Sequence, residues 1–211
     1  MNRTTTIYIA RHGQTEWNTR RKFQGHNDSP LTELGVKQAE WLGDSLRREV
    51  FDLIYSSSSP RAVRTAEIVA GARGISIETC DEFKEINLGI WEGMDQGEAE
   101  RVYPEQFHNF WKDPEAFRVP NGETFHDVSE RAIGKLLQVV TENPGRSILV
   151  VTHTVVVKLI MAYFEQREWK DLWDLPYIHP TCLCKVEVKE GGHAIILHGD
   201  ISHYQEPAAE S

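Results

Sequence analysis

The chain has 211 residues, 40% of them hydrophobic and 26% charged, a balance expected for one globular domain that needs no disulfide or metal staple. Lys and Arg number 23 against 32 Asp and Glu, a formal net charge of −9 without a basic tract, which argues against nucleic acid as a partner because counterion release needs clustered cations. No apolar run approaches the ~18 residues of a membrane span and the opening Met-Asn-Arg-Thr-Thr-Thr does not read as a signal peptide, so no membrane partner and a cytoplasmic location are expected.

In chain order, Ile7-Tyr8-Ile9-Ala10 is a short strand that runs straight into Arg11-His12-Gly13. Thr32 suits the N-cap of a helix carrying Val36, Ala39, Leu42 and Leu46 at helical spacing. Asp52-Leu53-Ile54-Tyr55 is a second strand, followed by serines and by a helix with Pro60 in its first turn and Ala62, Ala66 and Val69 on one face. Ile75-Ser76-Ile77 reads as a third strand after a Gly-rich turn. Residues 95–124, rich in aromatic side chains and proline, read as an inserted cap of short helices. A long helix over about residues 125–141 ends at Asn143-Pro144-Gly145.

Ile148-Leu149-Val150-Val151 is a continuous apolar run typical of a strand buried on both faces, and Thr152-His153-Thr154 leads from it into a helix over 155–164. Two strands near residues 182–188 and 194–197 flank the turn at Glu190-Gly191-Gly192. The alternation predicts an α/β fold, three-layer α/β/α with a mostly parallel central sheet and a small inserted helical cap. A single domain over 1–205 with a flexible tail over 206–211 is expected. Cys80, Cys182 and Cys184 lack metal-ligand spacing, and reduced thiols are expected.

In open α/β sheets ligands gather beyond the carboxyl ends of the strands. Three polar clusters fall at such ends: Arg11-His12, the segment Ser59 to Arg64, and His153. Two arginines and two histidines converging there would form a compact cationic pocket in an acidic protein. The guanidinium fork suits a tetrahedral oxyanion, and neutral imidazole is both nucleophile and hydrogen-bond partner, so a phosphate-like anion is the implied ligand.

The stretch Arg11-His12-Gly13-Gln14-Thr15-Glu16-Trp17-Asn18 resembles the Arg-His-Gly motif of the histidine phosphatase superfamily, the phosphoglycerate mutase-like phosphatases. Further blocks are similar in the same order. They are Phe23-Gln24-Gly25 with Asp28, Pro30-Leu31-Thr32 and Gly35; Ser56-Ser57 with Arg61, Thr65 and Ala66; Glu85-Ile86, Leu88-Gly89 and Trp91-Glu92-Gly93; Gly122-Glu123-Thr124 with Val128 and Arg131; and Val151-Thr152-His153. One such block is a weak signal, and six in order over about residues 5–165 are a strong one. Gly199-Asp200-Ile201-Ser202-His203 is a weaker echo of the family pattern.

The resemblance implies His12 as a nucleophile that carries the phosphoryl group as a phosphohistidine. Arg11, Arg61 and His153 would hold the phosphoryl oxygens, with Asn18 as a further donor and Gln24, Gly25 and His203 as additional phosphate contacts. Glu85 would be the general acid, with Asp81, Glu82 and Glu92 as nearby rivals. No metal and no cofactor are implied, since the arginines supply the positive charge. Thr154 departs from the glycine that many members carry after the second histidine, which bears on substrate size.

The segment Ile86-Asn87-Leu88-Gly89-Ile90-Trp91-Glu92-Gly93 looks like the phosphatase branch, and only Arg101, Lys112 and Arg118 offer cations in 95–124. The expectation is a broad-specificity phosphatase of small-molecule phosphomonoesters, resembling bacterial members, for which a 3-phosphoglycerate-like or phosphoserine-like substrate fits. A bisphosphoglycerate-dependent mutase, a non-catalytic phosphate-binding module and a metallohydrolase using His12 and His153 as ligands are the rivals. The sequence leaves a homodimer open.

Overall fold

The computed structural model describes residues 3–205, and the tail expected over 206–211 lies outside them. The elements in order are β1 (Thr5–Arg11), α1 (Glu16–Thr19), α2 (Glu33–Ser45), β2 (Leu53–Ser57), α3 (Pro60–Ala70), β3 (Ile77–Cys80), α4 (Gln96–Val102), α5 (Pro104–Lys112), α6 (Phe125–Glu142), β4 (Ser147–Thr152), α7 (Thr154–Glu165), β5 (Leu183–Lys189) and β6 (Gly192–Asp200). The six strands form one sheet in the order β3-β2-β4-β1-β5-β6. The first four in that order run parallel, and β5 and β6 add an antiparallel hairpin beside β1.

Side chains alternate across the sheet, and both faces are covered. Tyr8, Ala10, Leu149 and Val151 pack under α2 and α3, while Ile7, Ile9, Ile148 and Val150 pack under α6 and α7. That is why Ile7 to Ala10 of β1 and Ile148 to Val151 of β4 form unbroken apolar runs: neither face meets water. The result is a three-layer α/β fold around a mostly parallel mixed sheet. Thr32 caps α2 by accepting from the Gly35 N–H, and Pro60 occupies the first turn of α3, both as expected from their chemistry.

β3 lies at Ile77–Cys80 and not at 75–77. It is an edge strand held in register from Ile54↔Ile77 to Ser57↔Cys80, with Glu78 and Thr79 exposed. Backbone pairing with β2 fixes its position, whereas the apolar residues Ile75 and Ile77 point to a shorter run further upstream. Between β3 and α6 the chain adds α4 and α5, and Phe110 of α5 joins an aromatic cluster drawn from several segments: Trp91 contacts Phe23 and Phe117, and Phe110 contacts Phe125 and Trp173. This cluster is continuous with the core beneath α6 and α7.

The three cysteines are free and buried. Among the described residues no helix is long and apolar enough to cross a membrane.

Candidate active site

β1 and β4 are the two central strands, and their carboxyl ends lie side by side, Arg11 opposite Thr152. The chain leaves β1 toward α2 on one face and leaves β4 into α7 on the other, which opens a crevice at this end. The turn after His12 is pressed against the start of α2. A Cβ on Gly13 would lie 2.4 Å from the Gly35 carbonyl oxygen, and one on Gly35 would lie 2.0 Å from that of Gln14. Only glycine allows the two backbones to approach so closely.

His12 is buried, and its N–H donates to the Thr152 carbonyl at 2.9 Å. Its ring Nδ1 lies 2.7 Å from the Gly13 carbonyl. A carbonyl can only accept, so Nδ1 carries the proton and Nε2 keeps its lone pair. Burial, followed by Arg61 and Arg11, holds the imidazole well below its ordinary pKa and therefore neutral. The His153 ring stands 5.1 Å away, tilted 61°, and is held neutral in the same way by burial and Arg61. Its Nε2 is 2.7 Å from the Ser57 hydroxyl oxygen.

The two arginines are anchored through their tips. Arg11 Nη1 donates to the Ile178 carbonyl at 2.7 Å. Arg61 donates from Nη1 to the Asn27 carbonyl and to Asp28 Oδ1, and from Nη2 to the Gly25 carbonyl, each at 2.8 Å. Arg11 Nε, Arg61 Nε, His153 Nδ1 and Ser59 Oγ are buried and have no protein partner. A buried polar group left unmatched costs ~1–3 kcal/mol, so several around one neutral imidazole mark a place built to receive an oxyanion.

Glu85 joins this group from the far side. Its Oε1 accepts from the Ile86 N–H at 3.0 Å and from the Val155 N–H, in the first turn of α7, at 3.2 Å. Burial raises its pKa above the ordinary carboxyl value, although those amides, Arg61 and Arg11 oppose the shift. The rival acids stand elsewhere. Glu92 accepts from the backbone N–H groups of His26, Asn27 and Leu88, and Asp81 and Glu82 are exposed, Asp81 pairing with Lys84 at 3.2 Å. The loop carrying Glu85 is gripped by Arg131, which donates to the carbonyls of Glu82, Lys84 and Glu85 while paired with Glu123 at 2.8 Å.

The remaining sequence candidates fall in three places. Asn18 Oδ1 accepts from the Thr15 N–H at 3.0 Å in a capping box, which leaves its amide nitrogen as the end able to donate outward. Gln24 is buried and donates to Ser29, and Gly25, at φ +56°, turns its carbonyl onto Arg61, so both build the loop that holds that arginine. His203 Nε2 lies 3.2 Å from Oγ1 of Thr181, whose backbone N–H donates to the Arg11 and His12 carbonyls, and His203 lines a surface cavity of about 610 Å³ with Trp41, Arg47 and Arg48. The structure thus brings Arg11, His12, Arg61, Glu85 and His153 together and sets His203 apart from them.

Ser57, Asp28 and the Ile178 carbonyl also belong to the site. The first two fall within recognisable sequence blocks, but a backbone carbonyl 167 residues from its arginine carries no sequence signal. Among the described residues no group of three or more His, Cys, Asp or Glu is arranged to hold a metal ion.

Fold and site together define an α/β protein with two buried arginines and two neutral imidazoles at the carboxyl ends of its central strands. The chain belongs to the histidine phosphatase superfamily (branch 1), whose family model matches residues 7–201. The solved structure of Bacillus stearothermophilus YhfR superposes with a TM-score of 0.91 at 41% identity, covering 94% of this chain and 98% of that one. Phosphoserine phosphatase 1 of Hydrogenobacter thermophilus is 35% identical over 152 residues, 72% of each chain. A probable phosphoglycerate mutase, GpmB of Salmonella arizonae, is 30% identical over 213 residues, 97% of each. The chain is an enzyme of this phosphatase and mutase group.

Proposed function

We propose that the protein is a metal-independent phosphatase that hydrolyses small-molecule phosphomonoesters through a phosphohistidine on His12, without a cofactor and with broad specificity. The observation that carries this reading is the bare Nε2 of neutral His12 among buried donors that lack protein partners. Nε2 attacks phosphorus, the ester P–O bond breaks, and Glu85 gives its proton to the leaving alkoxide. Ionised Glu85 then takes a proton from water as the water oxygen attacks phosphorus, and the P–N bond breaks to restore His12. Arg11, Arg61, His153 and Asn18 hold the phosphoryl oxygens throughout. Positioning and charge stabilisation are most of what this chemistry requires.

A phosphoserine-like or 3-phosphoglycerate-like ester fits this reading, with neither nucleic acid nor membrane as partner, a cytoplasmic location, and a homodimer left open. The full-length similarity to a probable phosphoglycerate mutase favours a second reading, phosphoryl return from a retained bisphosphate. Against it, Arg101 and Lys112 are exposed, and Arg118 donates to the carbonyls of Glu115 and Phe117. Rapid quenching with a ³²P-labelled ester should trap the label on His12, and phosphate release should need no bisphosphoglycerate and should survive EDTA. Turnover with no trapped adduct would sink the mechanism, and an absolute requirement for bisphosphoglycerate would select the mutase.

A further inference from the structure

We propose that Ser57 sets the tautomer of His153, so that this ring presents an Nδ1–H donor to the anion held beside His12. The inference deepens the phosphatase reading and rests on it for its consequence in catalysis, though not for the tautomer itself. It follows from matching donors to acceptors in a buried set. Ser57 is fully buried at the end of β2, and its Oγ accepts from the Ser59 N–H at 3.2 Å while lying 2.7 Å from His153 Nε2. The neighbouring Ser56 hydroxyl is turned away, donating to the Ser57 carbonyl at 2.8 Å.

Two arrangements are conceivable for a neutral ring. If Nε2 carried the proton and donated to Ser57, the Ser57 O–H would need another acceptor, and no protein group among the described residues offers one. Nδ1, buried and without a protein partner, would then turn a lone pair toward a substrate oxyanion, which would repel it. If instead the Ser57 O–H donates to Nε2, the hydroxyl is satisfied on both sides and Nδ1 becomes an N–H donor. Only the second arrangement satisfies the Ser57 hydroxyl and turns a donor toward an anion.

The two histidines then play opposite parts. His12 has its Nδ1–H tied to the Gly13 carbonyl and shows a lone pair at Nε2. His153 has its Nε2 lone pair tied to Ser57 and shows an N–H at Nδ1. One imidazole can attack while the other holds an oxygen, and both remain neutral. Ser57 acts through His153 and is a positioning residue.

The test is a long-range ¹H–¹⁵N correlation spectrum of the free full chain labelled with [¹⁵N]histidine, with the His153 signals assigned by their loss in His153→Gln. His153 should be Nδ1-protonated in the wild type and in Ser57→Thr, and should pass to the Nε2–H form or a mixture in Ser57→Ala. If Ser57→Ala does not fold, Ser57→Cys, a weak donor of nearly the same size, takes its place. An Nε2–H ring in the wild type, or an unaltered Nδ1–H ring after removal of the hydroxyl, overturns the proposal. In phosphate release, Ser57→Ala should lose ~10–100-fold in kcat/KM, the scale known for groups that orient metal-bound imidazoles, with recovery in Ser57→Thr. Loss without any change of tautomer would assign Ser57 to packing and overturn its role. The spectra need no substrate, so a protein that proves inactive on phosphate esters would break the phosphatase reading and leave the tautomer result standing.

Discussion

The pocket at the strand ends and the loops that brace it are built from the same residue types, and they differ in how completely the protein satisfies them. In the brace, Glu123 and Arg131 bond each other and Arg131 also takes three carbonyls, while Glu92 receives three backbone N–H groups. In the pocket, Arg11, Arg61 and His153 each keep a buried nitrogen that no protein group meets. An arginine or glutamate whose hydrogen bonds close within the protein holds shape. One whose bonds remain open is available to a ligand. Glu85 and Glu92, seven residues apart, both accept backbone N–H groups, but Glu85 binds the first turn of α7 and feels Arg61 and Arg11, whereas Glu92 binds the loop of His26 and Asn27.

That contrast can be broken most sharply at His12. His12→Ala should lower turnover by at least ~10⁴-fold with the fold retained by circular dichroism, because the group that forms the covalent bond is gone. Substantial residual activity would place the nucleophile elsewhere. Glu85→Gln should cost ~10²–10⁴-fold on alkyl phosphates and far less on an aryl phosphate whose leaving group needs no proton. Equal slowing of both esters would remove the acid role. Because the Glu85 pKa is raised, kcat/KM for alkyl esters in the wild type should fall as pH rises above that value, and this limb should vanish in the variant.

The brace should answer differently. In Glu92→Gln an amide NH₂ must face backbone N–H donors whichever way it is turned, so stability to urea should drop by ~1–3 kcal/mol. The aryl-to-alkyl rate ratio should stay as in the wild type, and a ratio that moved as in Glu85→Gln would mean the two acids share one role.

The smallest expected effect is a slope with pH. His12 and His153 titrate well below the ordinary value near 6.5 that the unfolded chain keeps. Their contribution to stability is therefore present above ~6.5 and lost as pH falls, by about 1.4 kcal/mol per pH unit for each ring while only the unfolded form takes the proton. Replacing either histidine by glutamine should flatten the acid limb of a urea-denaturation series, and an unchanged slope would show that the rings are not held neutral.

Much of the molecule is legible in its amino-acid pattern. Ile7 to Ala10 and Ile148 to Val151 are apolar without alternation because both faces of those strands are covered, and that pattern alone places Arg11, His12 and His153 at central strand ends. The capping residue Thr32 and the proline of α3 mark their helices by local chemistry. β3 is less legible, since an edge strand is positioned by backbone pairing, which leaves Glu78 and Thr79 free to be polar. His203 closes the weak echo at 199–203, yet its ring bonds Thr181 and lines a cavity with Trp41, Arg47 and Arg48.

From the sequence alone come the alternation of strands and helices, the parallel core, and the identity of the arginines, histidines and acid that meet at one end of the sheet. These follow from periodicity and local capping, which act over a few residues, and from the resemblance of six ordered blocks. Only the tertiary structure decided which nitrogen of each histidine is tied back, which nitrogen of each arginine stays unmet, and that the Ile178 carbonyl anchors Arg11. Those outcomes depend on hydrogen bonds between atoms far apart in the chain, and a linear pattern cannot specify which donor will find which acceptor.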